Sequence, residues 1–193
     1  MEARPAARAL FLRNTLEHLE VYPRGQRVLR RLSPDTVARA KGANAIGWLP
    51  LEMDLELDEA VLAELGRVDS DTFWRRNMLH ALDTPLMAEL TRAAVRMMGV
   101  SPPHLIRFFP KAWRAFFRNV GELRVLESDK TAARVTWERI PVIATRTRTF
   151  PDSLRATFTA LYDFARVRGA VEIESLDLDG GRVVYTFAWQ PRR

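Results

Sequence analysis

The sequence contains no cysteine among its 193 residues. This absence excludes disulfide bonds, thiolate metal sites, iron–sulfur ligation and cysteine nucleophiles. The sequence also lacks an apolar run near the ~18 residues that span a bilayer, and its N-terminus lacks the apolar core of a secretory signal. We therefore expect an intracellular, cytoplasmic protein without a transmembrane segment.

Catalytic and cofactor motifs are equally scarce. Gly180 and Gly181 fall in a tight turn rather than between a strand and a helix, so they do not form a phosphate-binding loop. No pair of titratable groups is spaced for acid–base catalysis. Three histidines lie on different predicted helices, without the spacing of a local metal pair: His18, His80 and His104. These absences predict a non-enzymatic protein without a metal or cofactor, and an enzyme assembled from distant residues is the third-ranked hypothesis.

Lysine is scarce as well. Only Lys41, Lys111 and Lys130 are lysines among 30 basic residues, a skew typical of a GC-rich genome. The net charge of +6 is therefore a weak indication of an anionic partner. Charge is uneven along the chain, because 51–71 carries eight acids and one base whereas 102–150 carries ten bases and four acids. The simplest interpretation is that these two segments pair with each other.

Apolar residues recur at helical spacing through the first 120 residues. Pro23, Gly66 and Gly121 mark ends of predicted helices. The alternation of apolar and acidic residues over 51–55 predicts a short extended segment. The pattern predicts the following helices: 5–20, 26–32, 57–65, 71–82, 86–98 and 103–120. Ser33-Pro34-Asp35 opens a further turn or helix that runs to about Lys41.

The last third changes to a period of two, which is typical of strands. Alternating residues around the turn Ser128-Asp129-Lys130 predict one hairpin, and Asp179-Gly180-Gly181 joins the arms of a second. A helix over 152–168 separates them. We therefore predict an α+β fold in which a helical N-terminal two-thirds packs on a C-terminal antiparallel sheet of β-β-α-β-β order. The chain is expected to form a single domain, 1–193, with a helical subregion, 1–120, and a sheet subregion, 121–193.

The predicted helix 103–120 has two chemically distinct faces. Four bases are spaced +4, +3 and +4, and they fall within about 60° of one another on a helical wheel: Arg107, Lys111, Arg114 and Arg118. Phe109, Trp113, Phe116 and Val120 fall on the opposite side, and Pro110 marks a helix start or a kink. The basic face is either a binding surface for a membrane or an acidic partner, or a solvated stripe on a core helix. Aromatics on the buried side make nucleic-acid binding unfavourable.

Several segments resemble a paralogous family of uncharacterised bacterial proteins that is expanded in the myxobacteria. The resemblance rests on Trp48-Leu49-Pro50-Leu51, Leu55–Gly66, Phe109-Pro110-Lys111-Ala112-Trp113, Gly121-Glu122-Leu123-Arg124-Val125 and the closing helix with its hairpin. More distantly, the layout is similar to the haem-nitric-oxide-binding (H-NOX) domain and to the vinyl-reductase-type small-ligand domain. Both place helices before a sheet that is interrupted by a helix and closed by a hairpin.

This resemblance implies a sensor or ligand-binding module. The haem domain has a proximal histidine on the helix before the first hairpin, and His104 is the candidate at that place here. It also has a Tyr-x-Ser-x-Arg signature in its sheet, where this chain has Val135-Thr136-Trp137-Glu138-Arg139. Tyr162-Asp163-Phe164-Ala165-Arg166 has the matching ends but lies on a predicted helix and lacks the serine. We therefore expect no haem.

The first functional hypothesis is a non-enzymatic sensor or interaction domain that holds a small apolar ligand, or a protein partner, between the helices and the sheet. Six apolar residues are the expected lining, and core packing is their alternative role: Met97, Met98, Trp113, Trp137, Phe158 and Trp189. A homodimer is a further expected form of partner. The second hypothesis is an anionic-surface binder acting through 103–120.

Overall fold

The computed structural model describes residues 4–84, 88 and 100–190. Its helices are α1 (Ala9–Val21), α2 (Gly25–Leu29), α3 (Pro34–Gly42), α4 (Leu51–Asp83), α5 (Pro102–Phe116), α6 (Val142–Thr145), α7 (Thr149–Phe158) and α8 (Ala160–Ala165). Its strands are β1 (Ala6–Arg8), β2 (Trp48–Pro50), β3 (Phe117–Arg118), β4 (Glu122–Ser128), β5 (Ala132–Glu138), β6 (Gly169–Asp177) and β7 (Arg182–Trp189). None of the helices within these described residues combines the length and the apolar composition that a membrane span requires.

The C-terminal sheet has four antiparallel strands in the order β4-β5-β7-β6. Both predicted hairpins are present, and β7 joins them by pairing with β5, where Val135 lies opposite Tyr185. Asp177 accepts a hydrogen bond from the Gly180 N–H in the second turn, at 2.8 Å, and Gly181 has a positive φ of 61° that favours glycine. The α+β fold class predicted from the sequence is confirmed.

The helical subregion also contains a small sheet that the sequence analysis missed. Strand β1 lies between β2 and β3 and is antiparallel to both. The predicted helix 5–20 therefore begins only at Ala9, because residues 6–8 are strand. The predicted helix 103–120 ends at Phe116, and Arg118 lies in β3. Strands of two or three residues are too short to show a period of two, so no local pattern reveals them.

Helix α4 differs from the sequence-based prediction of an extended segment over 51–55. Residues 51–55 are its first turn rather than an extended segment. Gly66 interrupts the helix with φ 74° and ψ 171°, so the predicted break at this glycine is confirmed. The predicted helix 152–168 is divided between α7 and α8, and α6 occupies part of the predicted loop before it. The predicted helix 86–98 lies outside the described residues except for Ala88.

Two clusters of buried apolar side chains fill the described molecule. One lies between α5 and the four-stranded sheet and includes Trp113, Trp137, Tyr185 and Phe187. The other lies among α1–α4 and includes Leu12, Leu16, Val61 and Phe73. Helices α4 and α7 contribute to both clusters, because Leu51 and Leu154 belong to the first while Leu57 and Ala156 belong to the second.

Candidate functional site

Three of the predicted ligand-lining residues lie in the core between α5 and the sheet. The rings of Trp113 and Trp137 have centroids 5.3 Å apart, and Trp137 is fully buried. Each indole N–H donates to a backbone carbonyl, from Trp113 to Gly121 at 3.0 Å, from Trp137 to Val120 at 2.7 Å, and from Trp189 to Lys130 at 2.8 Å. These hydrogen bonds fix the indoles and leave only their apolar surfaces for further contacts.

Phe158 lies in a different part of the same cluster. It stacks on Phe109 of α5 with centroids 5.0 Å apart, and its ring also meets Tyr185 at 5.3 Å and Phe187 at 5.8 Å. Phe109 and Phe158 are only half-buried, unlike the tryptophans behind them. We call these four rings the aromatic seam: Phe109, Phe158, Tyr185 and Phe187. The remaining predicted lining residues, Met97 and Met98, lie outside the described residues.

The predicted basic face is exposed. Arg107, Lys111 and Arg114 are exposed on α5, and Arg118 follows in β3. In the described ranges none of these four forms an ion pair with a carboxylate. The guanidinium of Arg118 lies 4.6 Å from the ring centroid of Trp48, and the Arg114 Nε donates to the Pro110 carbonyl at 3.3 Å.

The acidic segment has other partners. Asp69 pairs with Arg24 at 3.2 Å and Asp71 with Arg155 at 2.5 Å. Glu64 pairs with Arg31. Among the described residues no acid of 51–71 forms an ion pair with a base of 102–150, so the simple interpretation that the two segments neutralise each other is wrong for this part of the chain.

Two aspartates of α4 are buried, which sequence reasoning missed. Asp54 and Asp58 are 5% and 3% exposed and stand one helical turn apart. The Ser153 hydroxyl of α7 donates to Asp58 Oδ2 at 3.0 Å. Burial raises the pKa of Asp54 to about 7. Burial and then the neighbouring Asp54 charge raise the pKa of Asp58 well above its ordinary value. Their spacing of four among the apolar residues of α4 was the available signal.

Asp58 borders a surface cleft of about 200 Å³, which Glu52, Glu59, Arg146 and Thr147 also line. The cleft is smaller than typical ligand pockets, which span roughly 300–1,000 Å³. A larger open groove of about 490 Å³ lies beside α7, α8 and β6. Two of its arginines are engaged, because Arg75 holds both oxygens of Asp163 and Arg155 holds Asp71.

The three histidines are separated into two environments. His104 is exposed, and its Nδ1 lies 2.9 Å from the Ser101 hydroxyl in the first turn of α5. His18 is buried, stacks on His80 at 5.0 Å, and lies 3.2 Å from the amide oxygen of Asn77. Burial lowers the pKa of His18, so its ring is neutral at pH 7. The part of the chain that the structure describes holds no group of three His, Asp or Glu side chains suited to a metal ion.

Comparison with known proteins identifies the fold. No family model matches the chain, and no curated protein matches it, so the resemblance to the myxobacterial paralogues stays a prediction. A structure from work on haem distortion in the H-NOX family is similar over 96% of this chain and 97% of its own, with a TM-score of 0.64 and 11% identity. The Fe(II) unliganded H-NOX protein from K. algicida gives a TM-score of 0.60 at 11% identity, covering 96% of this chain and 97% of its own. An oxygen-binding H-NOX domain related to soluble guanylate cyclases gives 0.61 at 11% identity, covering 92% of both chains.

The described residues do not fit a haem held as the resemblance implies. His104, the candidate ligand, points to solvent beside Ser101 rather than into the core. On β5, Val135 and Trp137 are fully buried, and Arg139 just beyond it is exposed and pairs with Glu122. The Tyr162 hydroxyl donates to the Ala170 carbonyl at 2.7 Å. The chain therefore has a fold similar to H-NOX domains across almost its whole length. Its described side chains, however, do not form a site that would hold haem through His104.

Proposed function

We propose that this protein is a non-enzymatic cytoplasmic sensor or interaction domain that works without haem and responds to a small apolar ligand at the aromatic seam. The observation that carries the proposal is the seam itself, where α5 and α7 meet the sheet in a fold similar to H-NOX domains. The stacked rings of Phe109 and Phe158 are half-buried there and pack on the buried rings of Tyr185 and Phe187. A protein partner binding at the same seam is the second form of this proposal.

The chemistry of the seam supports an apolar ligand. Phe109 and Phe158 contribute no polar atoms, and the Tyr185 hydroxyl is already engaged, since it donates to the Pro151 carbonyl at 3.2 Å. A ligand that slides between the half-buried rings would exchange one apolar contact for another. It would also separate α5 from α7, which gives binding a route to a change in helix position.

The buried carboxylates give weaker support to an enzyme. Two carboxyl groups with raised pKa values in one site are a familiar acid–base arrangement. Here Asp58 Oδ2 is occupied by the Ser153 hydroxyl, and burial on the inner side of α4 accounts for the retained proton. The pair therefore fits a helix–helix contact at least as well as a catalytic role, and the proposal remains non-enzymatic.

Native mass spectrometry of freshly purified protein, followed by thermal shift with lipids, hemin and other tetrapyrroles, tests the proposal. We expect co-purified or added apolar ligand to raise the melting temperature. Hemin should give no stoichiometric Soret band, because His104 is outside the core. A stoichiometric Soret band that is lost in His104→Ala would contradict the haem-free proposal and make the H-NOX resemblance the correct functional guide.

Matched variants locate the ligand. Phe158→Leu keeps an apolar side chain but removes the ring that stacks on Phe109, so it should abolish ligand-induced stabilisation. Phe73→Leu makes the same change in the α1–α4 cluster and should leave the stabilisation intact. The ligand form of the proposal is rejected if both variants lose the ligand-induced stabilisation equally. It is also rejected if the ligand stabilises neither the wild type nor Phe73→Leu. A bare monomer mass without stabilisation leaves the partner form, and a dimer mass would identify a second copy as that partner.

A further inference from the structure

We propose that this protein binds the surface of anionic lipid membranes through a basic patch that runs along α5 and onto the three-stranded sheet at its C-terminal end. We define the basic patch by seven residues, Arg8, Ile46, Trp48, Arg107, Lys111, Arg114 and Arg118. The patch shares no residue with the aromatic seam, so its test does not require the proposed ligand.

A stack of one indole and two guanidinium groups forms the centre of the patch. Arg8 and Trp48 are cross-strand partners on β1 and β2, and the Arg8 guanidinium lies 3.8 Å from the centroid of the Trp48 ring. The Arg118 guanidinium, from β3, lies 4.6 Å from the same ring. Two cations thus lie against one indole, an arrangement in which the π-system partly offsets their mutual repulsion. The missed three-stranded sheet is the element that brings these residues together.

Arg8 also joins the stack to α5 and to the loop before β2. Its Nε donates to the Ala115 carbonyl at 2.9 Å, and its Nη1 donates to the Ile46 carbonyl. Arg114 is adjacent to Ala115, and Lys111 and Arg107 continue the exposed face one and two turns back along the helix. The patch therefore carries five bases along α5 and on the adjoining three-stranded sheet, and none of them is in an ion pair with a described carboxylate.

An exposed isoleucine adds an apolar component. Ile46 is 69% exposed, and its loop is held firmly, because Ala9 and Leu10 donate to the carbonyls of Gly47 and Ala45 at 3.0 Å. A bulky apolar side chain held out beside tryptophan and arginines has the chemistry of the membrane interface, where apolar groups enter the acyl boundary and cations meet lipid phosphates. Nucleic acid is a poorer fit, because guanidinium groups lie against the Trp48 ring that a base would stack on.

Vesicle sedimentation tests this proposal with the full-length protein. Wild-type protein should sediment with vesicles of phosphatidylcholine and phosphatidylserine in equal amounts, and it should not sediment with phosphatidylcholine alone. Binding should fall as salt is raised, because the interaction is between exposed charges. The double variant Arg107→Glu/Arg114→Glu should lower the partition coefficient by on the order of tenfold or more, since each base near an anionic surface contributes appreciably.

A matched control separates the patch from overall charge. Arg27→Glu/Arg30→Glu changes the net charge by the same amount at exposed positions on and next to α2 and should bind almost as wild type. Ile46→Ser leaves every charge in place and should weaken binding, because it removes the apolar side chain that enters the acyl boundary. The proposal is overturned if the two double variants lose binding equally, if phosphatidylcholine vesicles bind as well, or if an acidic peptide or nucleic acid competes at far lower concentration than the vesicles.

Discussion

Asp54 and Asp58 place two carboxyl groups where a negative charge is unfavourable. Both face the inner side of α4, and the Ser153 hydroxyl is the hydrogen-bond donor described for Asp58. Two charges in one buried site repel each other, so the pair keeps a proton at neutral pH. A neutral carboxylic acid can donate as well as accept, which makes the pair compatible with a closely packed contact between α4 and α7.

The pair makes folding stability depend on pH in a defined direction. The folded-state pKa of Asp54, about 7, lies above its ordinary value of 3.8. The folded state therefore binds more protons than the unfolded state between these values, and the contribution of this group to stability falls as pH rises from about 4 to about 7. Asp54→Asn removes the titration, so it should gain stability over the wild type by at least about 1 kcal/mol across this range.

Denaturant unfolding of wild type and Asp54→Asn at a series of pH values measures the effect. The informative quantity is the change with pH in the difference in unfolding free energy between the two proteins. A loss of packing in the variant shifts that difference by the same amount at every pH, so it does not affect the change with pH. Glu52→Gln makes the same carboxyl-to-amide change at an exposed position on the same helix and is the matched control. A difference that stays constant from pH 4 to pH 8 would show that Asp54 is not held in its neutral form.

At the scale of elements, α4 illustrates how a single residue shapes a helix. Gly66 has φ 74° and ψ 171°, a backbone conformation that is essentially restricted to glycine. A Cβ at this position would meet no atom within 4 Å. Any cost of substitution therefore comes from the backbone and not from a clash. The break allows the helix segments on either side of Gly66 to follow different directions.

Gly66→Ala should lower the free energy of unfolding by about 1–3 kcal/mol, the usual cost of a non-glycine residue in such a conformation. Gly42→Ala is the matched control, because it also has open space around the new Cβ but no positive φ. That substitution should be neutral or stabilising by up to about 1 kcal/mol, since it restricts the unfolded chain. Chemical denaturation of the two variants distinguishes the cases, and equal effects would mean that the backbone at Gly66 is not strained by a side chain.

At the scale of the whole molecule, the two buried clusters share structural elements. Helix α4 sends Leu51 into the cluster against the sheet and Val61 into the cluster among α1–α4, and α7 divides Leu154 and Ala156 in the same way. Loss of either cluster would expose apolar surface on elements that the other cluster needs. The prediction of a single domain thus has a specific physical basis.

We expect one cooperative unfolding transition. Calorimetry should give equal calorimetric and van 't Hoff enthalpies. Two single-tryptophan variants report on the two clusters. One keeps Trp74 in the α1–α4 cluster and the other keeps Trp137 in the sheet cluster. Their unfolding curves, followed by fluorescence, should coincide. Two resolved transitions, each reported by one tryptophan, would instead divide the chain into two domains.

Local patterns in the sequence were sufficient for the order of most elements. The two hairpins could be predicted because alternation and a turn such as Asp179-Gly180-Gly181 act over a few neighbouring residues. The basic side of α5 could be predicted because helical spacing alone determines which residues share a face. The same reasoning failed over 51–55, where buried Asp54 interrupts the apolar pattern of a helix and the remaining residues imitate a strand.

Tertiary structure decided the features on which the functional proposals depend. The stack of Arg8, Trp48 and Arg118 joins residues far apart in the chain through strands too short to be recognised locally. The position of His104 on the surface and of Asp58 in the interior depends on what packs against each helix, which the spacing within one helix does not specify. Sequence by itself determined the α+β class and the distribution of charge, because these follow from neighbouring residues. The three-dimensional fold alone determined which charges are paired, buried or free to meet a partner, because those properties arise from contacts between distant segments.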